Sequence, residues 1–87
     1  MKKIVTVTEV EGEGLVALLG KRVILFCANY FYSGTLVGVN AHDVLLEDAG
    51  IVYETGPLTA KVFKDEQKFG GHLYVRTGAI EAYREVV

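Results

Sequence analysis

Residues 19–48 read LGKRVILFCANYFYSGTLVGVNAHDVLLED. Two apolar runs, 23–28 and 35–39, flank a turn around Asn29. A third run, 44–46, comes after a polar break of Asn40, Ala41, His42 and Asp43. Short runs rich in Val, Tyr and Phe and punctuated by Gly and Asn read as strands, and three in succession with short connections make an antiparallel meander. The first run is apolar throughout instead of alternating, so both of its faces are expected to be covered. Gly34 and Gly38 fall in the second strand, where Gly weakens pairing; their expected purpose is a bend sharp enough for one strand to serve both halves of a small barrel. Asn29 suits its turn because Asn tolerates positive φ. The polar break is where function is expected, since binding residues concentrate on loops held by a rigid scaffold.

On either side of this stretch the pattern stays extended. Residues 3–10 (KIVTVTEV) alternate β-branched and polar side chains, which predicts an arm or strand. Residues 15–19 (LVALL) can form a turn or two of helix ended by Gly20, or a strand. The third strand is expected to run over 44–54, with Leu45 and Leu46 in the core, and to end at Gly56-Pro57 because Pro cannot donate to a ladder. Residues 58–63 read as a further extended piece, and 64–68 (KDEQK) as a solvated, mixed-charge tip before Gly70-Gly71. Strands at 72–76 and 79–86 complete the chain. In the last, Ile80, Ala82 and Val86 fall on one face and Glu81, Tyr83 and Glu85 on the other.

The totals narrow the possibilities. Eighty-seven residues allow one domain, and a chain this short buries a modest core. Yet 51% of it is hydrophobic, more than one small barrel hides, so part of the apolar surface is expected between subunits. No run reaches the ~18 apolar residues of a membrane helix, and Lys2-Lys3 followed by an alternating segment with Glu9 does not resemble a signal peptide. A soluble, cytoplasmic homo-oligomer is the expectation. The net charge of −2 and pI of about 5.6 give no global basic footprint for nucleic acid, although an assembly can gather positive charge on one face. Cys27, alone inside an apolar run, reads as a small buried hydrophobe. His42 and His72 stand in separate segments without metal-ligand spacing, and no nucleophile–base order or phosphate-cradling loop stands out. Neither a metal, a cofactor nor an enzyme is expected.

The run Tyr32-x-Gly34-Thr35-Leu36-Val37-Gly38-Val39-Asn40-Ala41-His42-Asp43-Val44-Leu45-Leu46 resembles the first signature of the Sm-like superfamily, and its short loop is more similar to the bacterial branch. Tyr74-Val75-Arg76-Thr77-Gly78-Ala79-Ile80 resembles the second, and together the two cover roughly half of the chain. The extended N-terminal segment departs from the helix with which such proteins usually begin. The resemblance implies a mainly all-β fold: a small, strongly bent, five-stranded antiparallel barrel with a short N-terminal helix, assembled as a ring. One domain would span 1–87, with 1–14 as an arm and 57–71 as a variable loop or hairpin insertion. The fourth strand of one subunit would pair with the fifth of the next, a heterologous contact closing at roughly five to eight subunits.

The resemblance also implies single-stranded, U-rich RNA as a partner. Carried over, Asn40, His42, Asp43 and Arg76 form the site: His42 stacks on a base, Asp43 takes the polar position beside it, and Arg76 supplies the basic partner. Imidazole and guanidinium planes both stack on unpaired bases. Asp43 stands where the family has an amide, and a carboxylate accepts hydrogen bonds without donating. Two alternatives remain open from the residues alone. His42 can be an ordinary loop residue and Arg76 an ion-pair partner of Asp43, in a ring that scaffolds protein assembly without RNA.

Overall fold

The computed structural model describes residues 14–57 and 62–86. The expected N-terminal strand and most of the 58–63 piece lie outside them. Leu15–Leu18 forms a single turn of 3-10 helix, the shorter end of the one or two helical turns expected over 15–19. It is followed by β1 (Arg22–Cys27), β2 (Phe31–Val39), β3 (Asp43–Glu54), β4 (Asp65–Lys68) and β5 (His72–Arg76). A 3-10 turn at Thr77–Ala79 then leads into β6 (Ile80–Glu85). All pairings are antiparallel, in the order β4-β3-β2-β1-β6, with β5 also on β3. No helix among these residues is long and apolar enough to cross a membrane.

The meander of β1, β2 and β3 is the expected one, and β3 is the strand on which β4 and β5 are both built. Its first part, 43–47, pairs with β5, and its second, 50–54, with β4. Residues 65–76 are therefore one strand in two pieces, interrupted at Gly70-Gly71, and the described residues form five strands counted this way. Residues 64–68 are solvated, as expected of a mixed-charge segment, with all but Glu66 exposed, but 65–68 are not a tip: they pair as a strand with the apolar end of β3. The bend lies where both strands break together. Asp48 takes φ 54° and Gly70 and Gly71 φ 65° and 67°. Backbone bonds from Asp48 N–H to the Gly71 carbonyl (2.9 Å) and from Phe69 N–H to the Ala49 carbonyl (3.1 Å) hold the corner closed. Asp48, not Asn29, is the non-glycine residue with positive φ among those described. The connection between the paired Phe26 and Phe31 has four residues, enough to reverse the chain without a left-handed one.

The expected bend in β2 is present, with its register slipping around Gly34 and again before Gly38. A Cβ on Gly34 would stand 3.0 Å from Leu46 Cβ and 3.1 Å from the Glu47 carbonyl oxygen. Close strand approach is thus the reason for glycine there. Gly50 has the same property, 2.9 Å from the Gln67 carbonyl oxygen, and no sequence pattern marks it out.

Val23, Leu25, Cys27, Leu36, Val44, Leu46, Ala49 and Val75 form the core, with Leu15 and Leu18 packed against it. Cys27 is buried as expected, and burial pushes its thiol up, aided by Glu81. Ile24 and Val52 are also buried, so β1 is covered on both faces. Leu45, expected inside, is half-buried; side chains alternate across a strand, and with Val44 and Leu46 inside Leu45 has to point out. The alternation expected in the last strand is broken. Ile80 pairs with Cys27 but Ala82 with Phe26, so a bulge at Glu81 brings Tyr83, opposite Leu25, onto the side of Ile80.

Candidate nucleic-acid interface

The polar break and the second signature meet at one end of the barrel. Asp43 and Arg76 are directly paired across β3 and β5, which puts their side chains on the same face. The turn between β2 and β3 is tied from within by Asn40. Its Oδ1 accepts from the backbone N–H of His42 and of Asp43, both at 2.8 Å, and its own N–H donates to the Asp43 carbonyl at 3.0 Å. This is the local side-chain-to-backbone bonding by which Asn builds turns. Asn40 therefore shapes the site through its amide oxygen.

Thr77 ties the same turn from the other side. Its N–H donates to the His42 carbonyl at 2.8 Å and its hydroxyl to the Ala41 carbonyl at 2.9 Å. Sequence reasoning did not single it out; the available signal was a hydroxyl residue immediately after Arg76. Tyr74 was also missed. It lies two residues before Arg76, on the same face by strand alternation, and is 70% exposed. With Gly38, Asn40, Asp43 and Leu45 it lines a hollow of about 230 Å³.

With the backbone of the turn fixed, its charged and aromatic side chains stand outward. His42 is exposed. Arg76 Nε lies 4.0 Å from Asp43 Oδ1, with the Arg76 side chain 78% and the Asp43 side chain 38% exposed. An ion pair at that distance and exposure holds the two groups loosely, so either can turn to a ligand. Further along the same face His72 Nε2 sits 3.5 Å from a Glu47 carboxylate oxygen. The end thus presents an imidazole, a guanidinium, a carboxylate and a phenol on a braced frame. Such a surface can stack on planar rings, accept from polar edges and neutralise a phosphate.

Among solved structures, the chain is similar to the Sm protein of Pyrococcus abyssii, determined in complex with a uridine heptamer. The likeness has 19% identity and a TM-score of 0.61, and covers 80% of this chain and 89% of that one. It is also similar to the SmAP1 heptamer of P. aerophilum, at 23% identity and a TM-score of 0.64, over 84% of this chain and 88% of that one. The fold is Sm-like. No family model matches the sequence, and no curated protein does. In this fold the expected site residues Asp43 and Arg76 are paired across β3 and β5, His42 stands beside Asp43 in the same turn, and Asn40, also exposed, braces that turn.

Proposed function

We propose that the chain acts as a single domain that assembles into a homo-oligomeric ring and binds single-stranded RNA at the end carrying His42, Asp43 and Arg76. The observation that supports it most is the bonding of Thr77 to the 41–42 backbone, which welds the two signature turns into one surface while leaving His42 and Arg76 exposed. The solved Sm-like structures add support: one was determined with a uridine heptamer and the other is a heptamer. Ring assembly has a physical route here. Among the described residues β5 pairs only with β3 and β6 only with β1, so each keeps one free edge. A free edge is a template for pairing with another chain, and pairing β5 with the next copy's β6 is head-to-tail and can close.

A second reading is a ring that organises proteins and binds no RNA. It is favoured by Asp43, which repeats a negative charge around the same end, and by the net charge of −2. Fluorescence anisotropy of a labelled single-stranded RNA separates the two, on ring-sized material at low and moderate salt. Binding that weakens with salt and is lost in His42→Ala and Arg76→Ala is the expected result. An intact ring that binds no RNA at low salt overturns the RNA reading in favour of the scaffold.

A further inference from the structure

We infer that this site, resting on the RNA reading just proposed, selects guanine over uracil, with Asp43 as the selecting residue. Among the described residues the only polar side-chain partner of the Asp43 carboxylate is Arg76, 4.0 Å away, so most of its acceptor capacity is open. An ionised carboxylate accepts at both oxygens and donates nothing. Uracil presents one N–H between two carbonyl oxygens along its pairing edge, and a carboxylate beside that edge meets at least one lone pair with another. Cytosine and adenine each offer a single amino donor next to a ring-nitrogen acceptor. Guanine alone presents two adjacent donors, N1–H and N2–H, at a spacing that fits both carboxylate oxygens. Charge-assisted, paired bonds of this kind are the strong ones.

The neighbour completes the match. Arg76 stands directly across the strand pair on the same face. A guanidinium there donates to an acceptor next to the two donors, and O6 of guanine is that acceptor. The order acceptor, donor, donor along guanine thus meets donor, acceptor, acceptor from Arg76 and Asp43. The larger purine also has a surface to lie on: the hollow beside Asp43 is lined by Gly38, Leu45 and the exposed Tyr74. Gly38 keeps that floor low, since a Cβ there would already touch Leu45 Cβ at 3.4 Å. The Asn40 bonds to the 42 and 43 N–H groups fix the backbone from which Asp43 projects, and its loosely paired carboxylate can turn from there to a base edge.

The test uses the whole chain as a ring and three labelled RNAs: an oligo(U), the same oligonucleotide with one central guanosine, and the same with inosine there, which lacks the N2 amino group. The expected order of affinity is guanosine, then inosine, then uridine, with about tenfold between the first and last, the scale of one good bidentate base contact. In Asp43→Asn the order reverses toward uridine, because an amide both donates and accepts. Equal affinity of the wild-type ring for the three RNAs overturns the guanine inference while leaving RNA binding standing. An unchanged guanosine preference in Asp43→Asn overturns the assignment of Asp43. An absence of binding to every RNA at low salt removes the RNA reading itself and this inference with it.

Discussion

From Asp43 to Glu47, β3 pairs in unbroken register with β5, its outer face is open to solvent, and it begins at the turn of Asn40, His42 and Asp43. From Asp48 onward the same strand bends, pairs with β4, and is crowded: Gly50 lies against the Gln67 backbone, and a chain of charges crosses the corner. Buried Ser33 donates its hydroxyl to Glu66, Glu66 faces Arg22 at 3.6 Å, Arg22 faces Asp48 at 3.7 Å, and Asp48 takes Lys68 at 3.1 Å. Core side chains come from both halves, Val44 and Leu46 from the straight one and Ala49 and Val52 from the bent one; what differs is the surface, braced at the bend and open to a ligand along the straight half. The bent half fixes the barrel's shape through close contact, whereas the straight half displays polar groups that contribute little to folding. Substitutions at the bend should cost stability; those at the exposed polar groups of the straight half should alter ligand affinity.

The largest effect is expected at Gly50. Gly50→Val places a branched side chain where even a Cβ would stand 2.9 Å from the Gln67 carbonyl oxygen. Overpacking costs about 1–3 kcal/mol, and the backbone neighbour cannot turn aside, so the upper part of that range is expected in denaturant unfolding. A wild-type midpoint would show that β4 is not fixed on β3. Next comes Glu66→Ala, which leaves the fully buried Ser33 hydroxyl without its acceptor. An unsatisfied buried group costs about 1–3 kcal/mol. Glu66→Ala with Ser33→Ala should recover much of the loss, and a double-mutant cycle measures how much.

In the straight half, Thr77→Ala removes one exposed side-chain bond to the Ala41 carbonyl, at a cost of about 1 kcal/mol or less. Its effect on RNA affinity should exceed its effect on stability, because the 40–43 turn loses its outside tie. The smallest stability change is expected for Arg76→Ala and His42→Ala, within ~0.5 kcal/mol as for other exposed side chains. A large destabilisation in either would mean that the open end is structural and would erase the contrast between the halves.

Cys27 supplies an independent reading of the same contrast. It is buried, and burial followed by the charge of Glu81 pushes its thiol up. At neutral pH it is thus a poor nucleophile in the folded barrel, and its labelling by a thiol reagent should track unfolding. Gly50→Val should accelerate labelling and Arg76→Ala should leave it unchanged.

Much of the straight half was legible in the sequence, because it is local. A polar tetrapeptide between apolar runs is a turn, and 72–76 is a strand by composition. The meeting of Asp43 and Arg76 is non-local, and it came from the family resemblance. The bent half was harder. Residues 64–68 carry no apolar pattern, since their pairing is through the backbone to β3. Gly50 sits in a run that already reads as strand, and only the approach of Gln67 gives it meaning. Asp48 adopts positive φ where the residue type permits but does not demand it. Leu45 was placed inside because it is apolar, although period-2 geometry allows only alternate members of 44–46 inward. The Thr77 hydroxyl bonds to a residue 36 positions away in sequence, a distance that no local pattern spans.

Amide hydrogen exchange on the ring, with and without saturating single-stranded RNA, puts the division of β3 to its sharpest trial. The expected result is RNA-dependent protection confined to 40–43 and 74–78, with 48–54 and 65–69 already slow and unchanged. Protection centred on the bend, or no change anywhere under conditions where the ring is intact, would contradict the division of the molecule into a shape-fixing half and a binding half.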